Sequence, residues 1–213
     1  HFRKALNLAV AAGMVEENPA AKSIRRNPEH NRERYLCQSE IKRLLKAISS
    51  HRSRPAAAAI MLLLLTGARK SEILSMKWAD VDLDEGRWIK PASQTKQRRP
   101  HHVPLSSEAI ELLKDVRKDA ATSPFVFPGR GLSGHRSSIK KDWEEVRAAA
   151  GIEDCRLHDL RHTFASLAVS NGVSLEFVGA LLGHSQATTT HRYAHLHDGP
   201  LRQTVNDIGG LIT

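Results

Sequence analysis

HDLRHTFAS, residues 158–166, is the stretch from which both the fold and the chemistry of this chain can be read. It opens a helix expected over 158–171. His158 and Arg161 lie three residues apart, so one turn of that helix carries both on one face. A guanidinium that never deprotonates thereby stands beside a titratable imidazole. A single string of this kind is weak evidence. Three others accompany it: TGARKSEIL at 66–74, LLGHS at 181–185 and HRYAH at 191–195.

Working outward, the surroundings read as mostly helical. Ile41, Leu44, Leu45 and Ile48 form the apolar stripe of a helix opened by Cys37 and Glu40, which have capping-box spacing with Cys in place of Ser or Thr. The next helix, 55–65, is apolar almost all round and should be central. Thr66-Gly67 ends it, and a short helix follows over 70–76. Residues 78–105 read as a small antiparallel sheet. Asp84-Glu85-Gly86 is a turn signal, the strands lie over 87–90 and 101–105, and 93–100 form a polar, basic turn between them. Helices are expected over 106–119, 137–150, 158–171, 174–182 and 187–195, with one more in the tail over 198–208. The fold class is mostly α with a small antiparallel β-sheet.

Composition narrows the function. Among 213 residues, 32 Lys+Arg against 23 Asp+Glu give 32 − 23 = +9, a balance that attracts polyanions such as nucleic acid. Cys37 and Cys155 are the only cysteines, which excludes a disulfide framework and a cysteine zinc site and fits a reducing cytoplasm. The longest apolar run, 56–65, is far short of the ~20 residues needed to span a bilayer, so no membrane partner is expected.

The four strings, in this order and with Lys96 in the sheet turn, resemble the tyrosine recombinase (phage integrase) family from Tyr35 to about Leu196. The resemblance implies that fold and a DNA strand-transfer chemistry. Arg69 and Arg161 match the two phosphate-clamping arginines. His158 would assist proton transfer at the nucleophile, and His184 would donate a hydrogen bond to a phosphate oxygen. Tyr193 would attack phosphorus to form a 3′-phosphotyrosyl link, releasing a 5′-hydroxyl. Lys96 would be the general acid, although Arg98, Arg99 and His101 stand close enough to touch DNA or to replace it. Glu72 and Asp159 read as supporting groups that orient the arginines or brace the fold, and His162 reads as structural. Double-stranded DNA and further copies of the chain, as a tetramer on two duplexes, are the implied partners. Neither metal nor other cofactor is implied.

The same resemblance divides the chain. Residues 1–20 look like the C-terminal end of a truncated helical core-binding domain, with a helix capped near Gly13. Residues 21–34 form a basic linker and 35–197 the catalytic domain. Residues 198–213 form a tail whose Leu201, Val205, Ile208 and Leu211 make an apolar stripe for a neighbouring subunit or its own domain. Two rival readings remain at this level. His158 and His162 have zinc-ligand spacing, with His184, His191, His195 and His197 as further donors, so a metal hydrolase is one. Asp159, where the metalloprotease helix motif has Glu, argues against it. A DNA-binding regulator without catalysis is the other, and it leaves Arg69, Arg161 and Tyr193 without a purpose.

Overall fold

The computed structural model describes residues 2–20, 34–92, 99–119 and 122–197, with Pro200, Val205 and Ile208. They fall into two compact units, 1–33 and 34–213. In the first, α1 (Phe2–Ala11) closes at Gly13, which has a left-handed φ of 68° and donates its N–H to Val10 O at 3.0 Å. Asn18 Oδ1 accepts the Ala20 N–H at 2.9 Å and forms the turn that breaks the pattern. Most of the expected linker lies outside the described residues.

The second unit begins with α2 (Gln38–Ser49), where Glu40 Oε2 accepts the Cys37 N–H at 2.9 Å, the carboxylate half of the expected capping box. Leu44 and Ile48 are buried, with Ile41 packed beside them. Leu45, expected in the same stripe, is exposed. It sits one residue, about 100° of rotation, beyond Leu44, outside a stripe this narrow.

The middle of the unit is α3 (Arg54–Thr66), RPAAAAIMLLLLT, which packs against the elements around it. Pro55 suits its first turn, where no N–H is needed. Its apolar circumference is used on every side: Ala56, Ala59, Ile60 and Leu62 are fully buried. Gly67 caps it at φ 61° and donates to Leu63 O at 3.0 Å. A Cβ at Gly67 would stand 2.6 Å from Phe164 Cδ1 and 2.7 Å from Leu182 Cδ2. Glycine is therefore required both by the backbone conformation and by close packing.

A short helix, α4 (Lys70–Leu74), leads to a 3-10 turn at Trp78–Asp80, so the sheet starts at Val81 rather than at Trp78. Strands β1 (Val81–Asp82), β2 (Arg87–Lys90) and β3 (His101–Pro104) pair antiparallel in that order. The register sets Trp88 opposite Val103 and Lys90 opposite His101. Alternation along β2 buries Trp88, as expected of an apolar residue, and also Lys90. Lys90 Nζ donates to Glu72 Oε2 at 2.7 Å and lies 4.7 Å from the Trp88 ring centroid. This ion pair ties the hairpin to α4. Burial acts to raise the pKa of Glu72, but the charge and hydrogen bond of Lys90, with those of Arg69, win and hold it down at about 2.

The remaining helices are α5 (Ser107–Asp119), α6 (Lys140–Ala149), α7 (Asp159–Ser170), α8 (Leu175–Leu182) and α9 (Ala187–His191). Ser174 starts α8 by accepting the Phe177 N–H at 3.3 Å, and Gly183 ends it at φ 67°. The single helix expected over 187–195 is in fact two pieces. It breaks after His191, and a 3-10 turn, Ala194–His197, follows, which leaves Tyr193 at the break. Three successive threonines, β-branched and able to bond elsewhere, make a weak helix there. The tail helix expected over 198–208 falls mostly outside the described residues.

Two apolar clusters result. The large one gathers α2, α3, the sheet and α6. A small one holds Ala165, Val169, Val178, Leu182 and Tyr193. One face of α7 packs on α3, and α8 and the 3-10 turn after Tyr193 also pack on α7.

Two outcomes follow from these contacts. Gly67→Ala should destabilise the unit by about 2–3 kcal/mol, from left-handed strain together with overpacking, read as a lowered denaturation midpoint. Glu72 has a depressed folded-state pKa, so its stabilisation is complete above the unfolded value near 4.5 and is lost as pH falls toward about 2. Glu72→Gln should therefore lower stability at neutral pH and flatten the acid limb of a stability–pH profile between those values. A parallel acid limb in both proteins would contradict the pairing.

Candidate active site

The site lies where the C-termini of α3 and α8 meet the start of α7. Arg161 is buried in the first turn of α7. Its Nη1 donates to Gly67 O at 2.8 Å and its Nη2 to Leu182 O at 2.9 Å. The strings TGAR and LLGHS, more than a hundred residues apart, are thus held on the two prongs of one guanidinium. Burial lowers the pKa of Arg161 to about 10, assisted by repulsion from Arg69, which leaves it charged at neutral pH.

Arg69 sits at the start of α4, half-exposed, with Nη1 on Glu72 Oε1 at 2.8 Å and its own N–H on Glu72 Oε2 at 2.9 Å. Glu72 therefore braces Arg69 from one side while Lys90 holds Glu72 from the other. Asp159, expected as a supporting group, acts on the backbone. Its Oδ2 accepts the Arg156 N–H at 2.8 Å, which shapes the loop that enters α7.

His184 follows the left-handed Gly183 and shares a 2.8 Å hydrogen bond with Thr190 Oγ1. Burial, then the charges of Arg161 and Arg69, push its pKa down to about 4. His158 caps α7 with its ring open to solvent on one side. The protein packed around the rest of that ring, then Arg161, still lower its pKa.

Tyr193 is 5% exposed, its ring inside the small apolar cluster. Its hydroxyl lies 2.5 Å from His162 Nδ1. His162, in turn, meets His158 edge to face at 5.2 Å between centroids. A structural role was expected for His162 from its spacing alone. The structure puts it on the tyrosine oxygen, a contact across 31 residues of sequence that no local pattern signals.

Two more residues escaped the sequence reading. Lys90 looked like an ordinary strand residue, and only the register shows it buried on Glu72. Arg192, beside Tyr193, has a buried Nε with no hydrogen-bond partner among the described residues, and its charge depresses His158, His162 and His184. His101, expected to touch DNA, is half-buried against α8. It lies 2.7 Å from Ala180 O, which accepts its Nε2 proton, and its ring fills the space beside Gly183. Arg99 is exposed just before β3. Lys96 and Arg98 lie outside the described residues. Among the described residues, no group of three or more His, Cys, Asp or Glu side chains is placed to hold a metal ion, so the zinc-like spacing of His158 and His162 has no third ligand. No helix among them is long and apolar enough to cross a membrane.

Comparison with known proteins agrees with this geometry. Residues 34–199 match the phage integrase family. The chain is 37% identical over 158 residues to tyrosine recombinase XerD of Rhizobium meliloti (strain 1021), covering 70% of this chain and 50% of that one. It is 30% identical over 195 residues to the integrase of Salmonella phage P22, covering 86% and 49%. Among solved structures, XerA recombinase superposes with a TM-score of 0.67 at 28% identity, over 82% of this chain and 64% of that one. The chain spans about half the length of these curated relatives. On the family match across most of its length, the chain belongs to the phage integrase family of tyrosine recombinases.

Proposed function

We propose that this chain performs the strand cleavage and rejoining of a site-specific DNA recombinase through a 3′-phosphotyrosyl intermediate. The observation that carries the reading is that Arg161 ties the TGAR and LLGHS turns together and is close enough to Arg69, His184 and Tyr193 to interact electrostatically with all three. Attack on a phosphodiester adds negative charge to the non-bridging oxygens, and fixed cations stabilise it without reorganisation. Arg69 and Arg161 clamp those oxygens, His184 donates a further hydrogen bond, and Tyr193 attacks phosphorus. The covalent link conserves the phosphodiester energy, so a second DNA end can take its place without ATP.

The substrate is double-stranded DNA, and assembly into a tetramer on two duplexes in the cytoplasm completes the reading. A cleft of about 540 Å³ beside His158 supports a polyanion, because Lys70, Lys140, Arg147 and Arg156 line it and outweigh Glu144 in the same wall.

DNA trapped covalently on the full-length protein, once sequenced, identifies the target. On that duplex, Tyr193→Phe should form no adduct while binding DNA nearly as well as the wild type, because only one hydroxyl is lost. An adduct from the Phe variant would overturn the assignment. Cleavage should persist in excess EDTA, and a loss restored by magnesium or zinc would favour metal-assisted hydrolysis instead.

Lys96 is the proposed general acid. An alkoxide leaves poorly, and an ammonium on the hairpin turn is a transferable proton source, whereas arginine holds its proton too tightly. Lys96→Ala should cleave ordinary DNA slowly and recover on a substrate with sulfur at the bridging 5′ position, since a thiol of pKa ~8.5 needs no acid to leave. Arg69→Ala should not recover. Equal failure of Lys96→Ala on both substrates would remove it from this role.

A further inference from the structure

We infer that Lys90 is a positioning residue of the cleavage site: through Glu72 it aims Arg69, and it keeps that carboxylate from cancelling the arginine's charge. The inference rests on the strand-transfer reading and adds to it a residue that works from behind the arginine. With its side chain 2% exposed, Lys90 cannot itself reach DNA. Glu72 divides its two oxygens between partners. Oε1 accepts Arg69 Nη1 at 2.8 Å, while Oε2 accepts the Arg69 N–H at 2.9 Å and Lys90 Nζ at 2.7 Å. A guanidinium and a carboxylate left to themselves tend to pair through two parallel hydrogen bonds. Lys90 occupies the oxygen that the second bond would need. Arg69 is thereby held by one Nη, and the rest of its fork is kept for a phosphate.

The fold alone does not call for a lysine here. The two side chains of the pair are 2% and 7% exposed. Desolvating two charges offsets much of their attraction, and packed apolar side chains in place of a buried ion pair often leave a protein as stable or more so. Position 90 faces inward, two residues along β2 from Trp88, where an apolar side chain would continue the core. The Trp88 ring instead lies 4.7 Å from Nζ and, with Glu72, steadies the ammonium.

The charge of Lys90 reaches both arginines. Burial pushes its pKa down, Glu72 opposes that, and Arg161 and then Arg69 add repulsion. Such repulsion is mutual, so the ammonium adds to the positive field at both clamps. Arg69, Glu72 and Lys90 together are net positive, whereas Arg69 and Glu72 alone would neutralise each other. Attack on phosphorus gathers negative charge on the phosphate oxygens, so this difference acts on the rate of cleavage. Affinity for the duplex is spread over many other phosphates and feels it less.

The test uses the full-length recombinase and a nicked duplex of its trapped site. It follows DNA affinity and, at saturating DNA, the rate at which the Tyr193-linked adduct forms. Lys90→Met nearly keeps the length of the side chain and removes its charge. It should slow the adduct by about 10-fold with affinity nearly unchanged, less than the roughly 100-fold or more that removing a whole charge-stabilising donor costs. Adding Glu72→Gln to Lys90→Met removes the carboxylate as well, leaves Arg69 without a neutralising partner, and should regain part of the lost rate. A lysine that only packed would give the opposite order, with the double variant as slow as Lys90→Met or slower. That order would overturn the inference. So would a wild-type rate from Lys90→Met, or a loss of affinity with the saturated rate intact. If Lys90→Met folds poorly, Lys90→Gln, whose amide can still donate to Glu72 without the charge, takes its place in the same comparison. All of these outcomes leave Tyr193 as nucleophile intact. An absence of any Tyr193-linked adduct from the wild-type protein would instead defeat the reading on which the inference rests.

Discussion

The two hydrogen bonds from Arg161 to Gly67 O and Leu182 O are the constraint on which the rest of the site depends. Helices leave their last carbonyls without partners and carry partial negative charge at their C-termini. Here α3 and α8 both end at left-handed glycines, Gly67 and Gly183, and both deliver a terminal carbonyl to the same guanidinium. A buried cation is costly unless it is paired and hydrogen-bonded. Two helix ends supply that compensation without a carboxylate in direct contact. The charge is thereby kept for a ligand, because an acidic partner would have neutralised the field that a phosphate requires.

The second arginine is treated differently. Arg69 is braced by Glu72, but Glu72 is shared with Lys90, so the three groups together retain a net positive charge. Lys90 reaches Glu72 because β2 alternates, and the residue across from it, His101, reaches α8 because β3 runs alongside. The base of the hairpin is thus pinned to α4 on one side and to α8 on the other. In that arrangement burial, and then Arg161, Arg69 and Arg192, act on His184, which therefore loses its proton readily. An anion would relieve the same repulsion, which is why neutral histidines and unneutralised arginines occur together here.

Much of this was legible in the sequence because it is local. The glycine that ends α3, the Pro at its start and the apolar run between them each state their own reason. Arg161 and His158 share a helical turn, and the order of the four strings supplied Arg69, His184 and Tyr193. What escaped depends on distant registers. Lys90 is buried only because Glu72 waits on another element, and a lone strand lysine gives no sign of that. His162 was judged by its spacing from His158, a neighbour along the helix, while its hydrogen bond to Tyr193 comes from the turn after α9. Leu45 was assigned to the buried stripe because apolar residues are usually counted inward, although one step around the helix was enough to expose it.

The small cluster explains how Tyr193 and Arg161 keep their relative positions. Leu182 belongs to both: its side chain packs in the cluster that buries the Tyr193 ring, and its carbonyl accepts Arg161 Nη2. Any shift of α8 that moved the tyrosine would therefore also strain the arginine. The ring of Tyr193 is held by nondirectional packing, which tolerates sliding. Its hydroxyl is held by the His162 hydrogen bond, which does not tolerate misalignment. Packing thus fixes where the Tyr193 ring is, and the imidazole fixes where its oxygen points. Both constraints start from α7, the helix that also carries Arg161. One element thereby sets the distance between the Tyr193 oxygen and the Arg161 guanidinium.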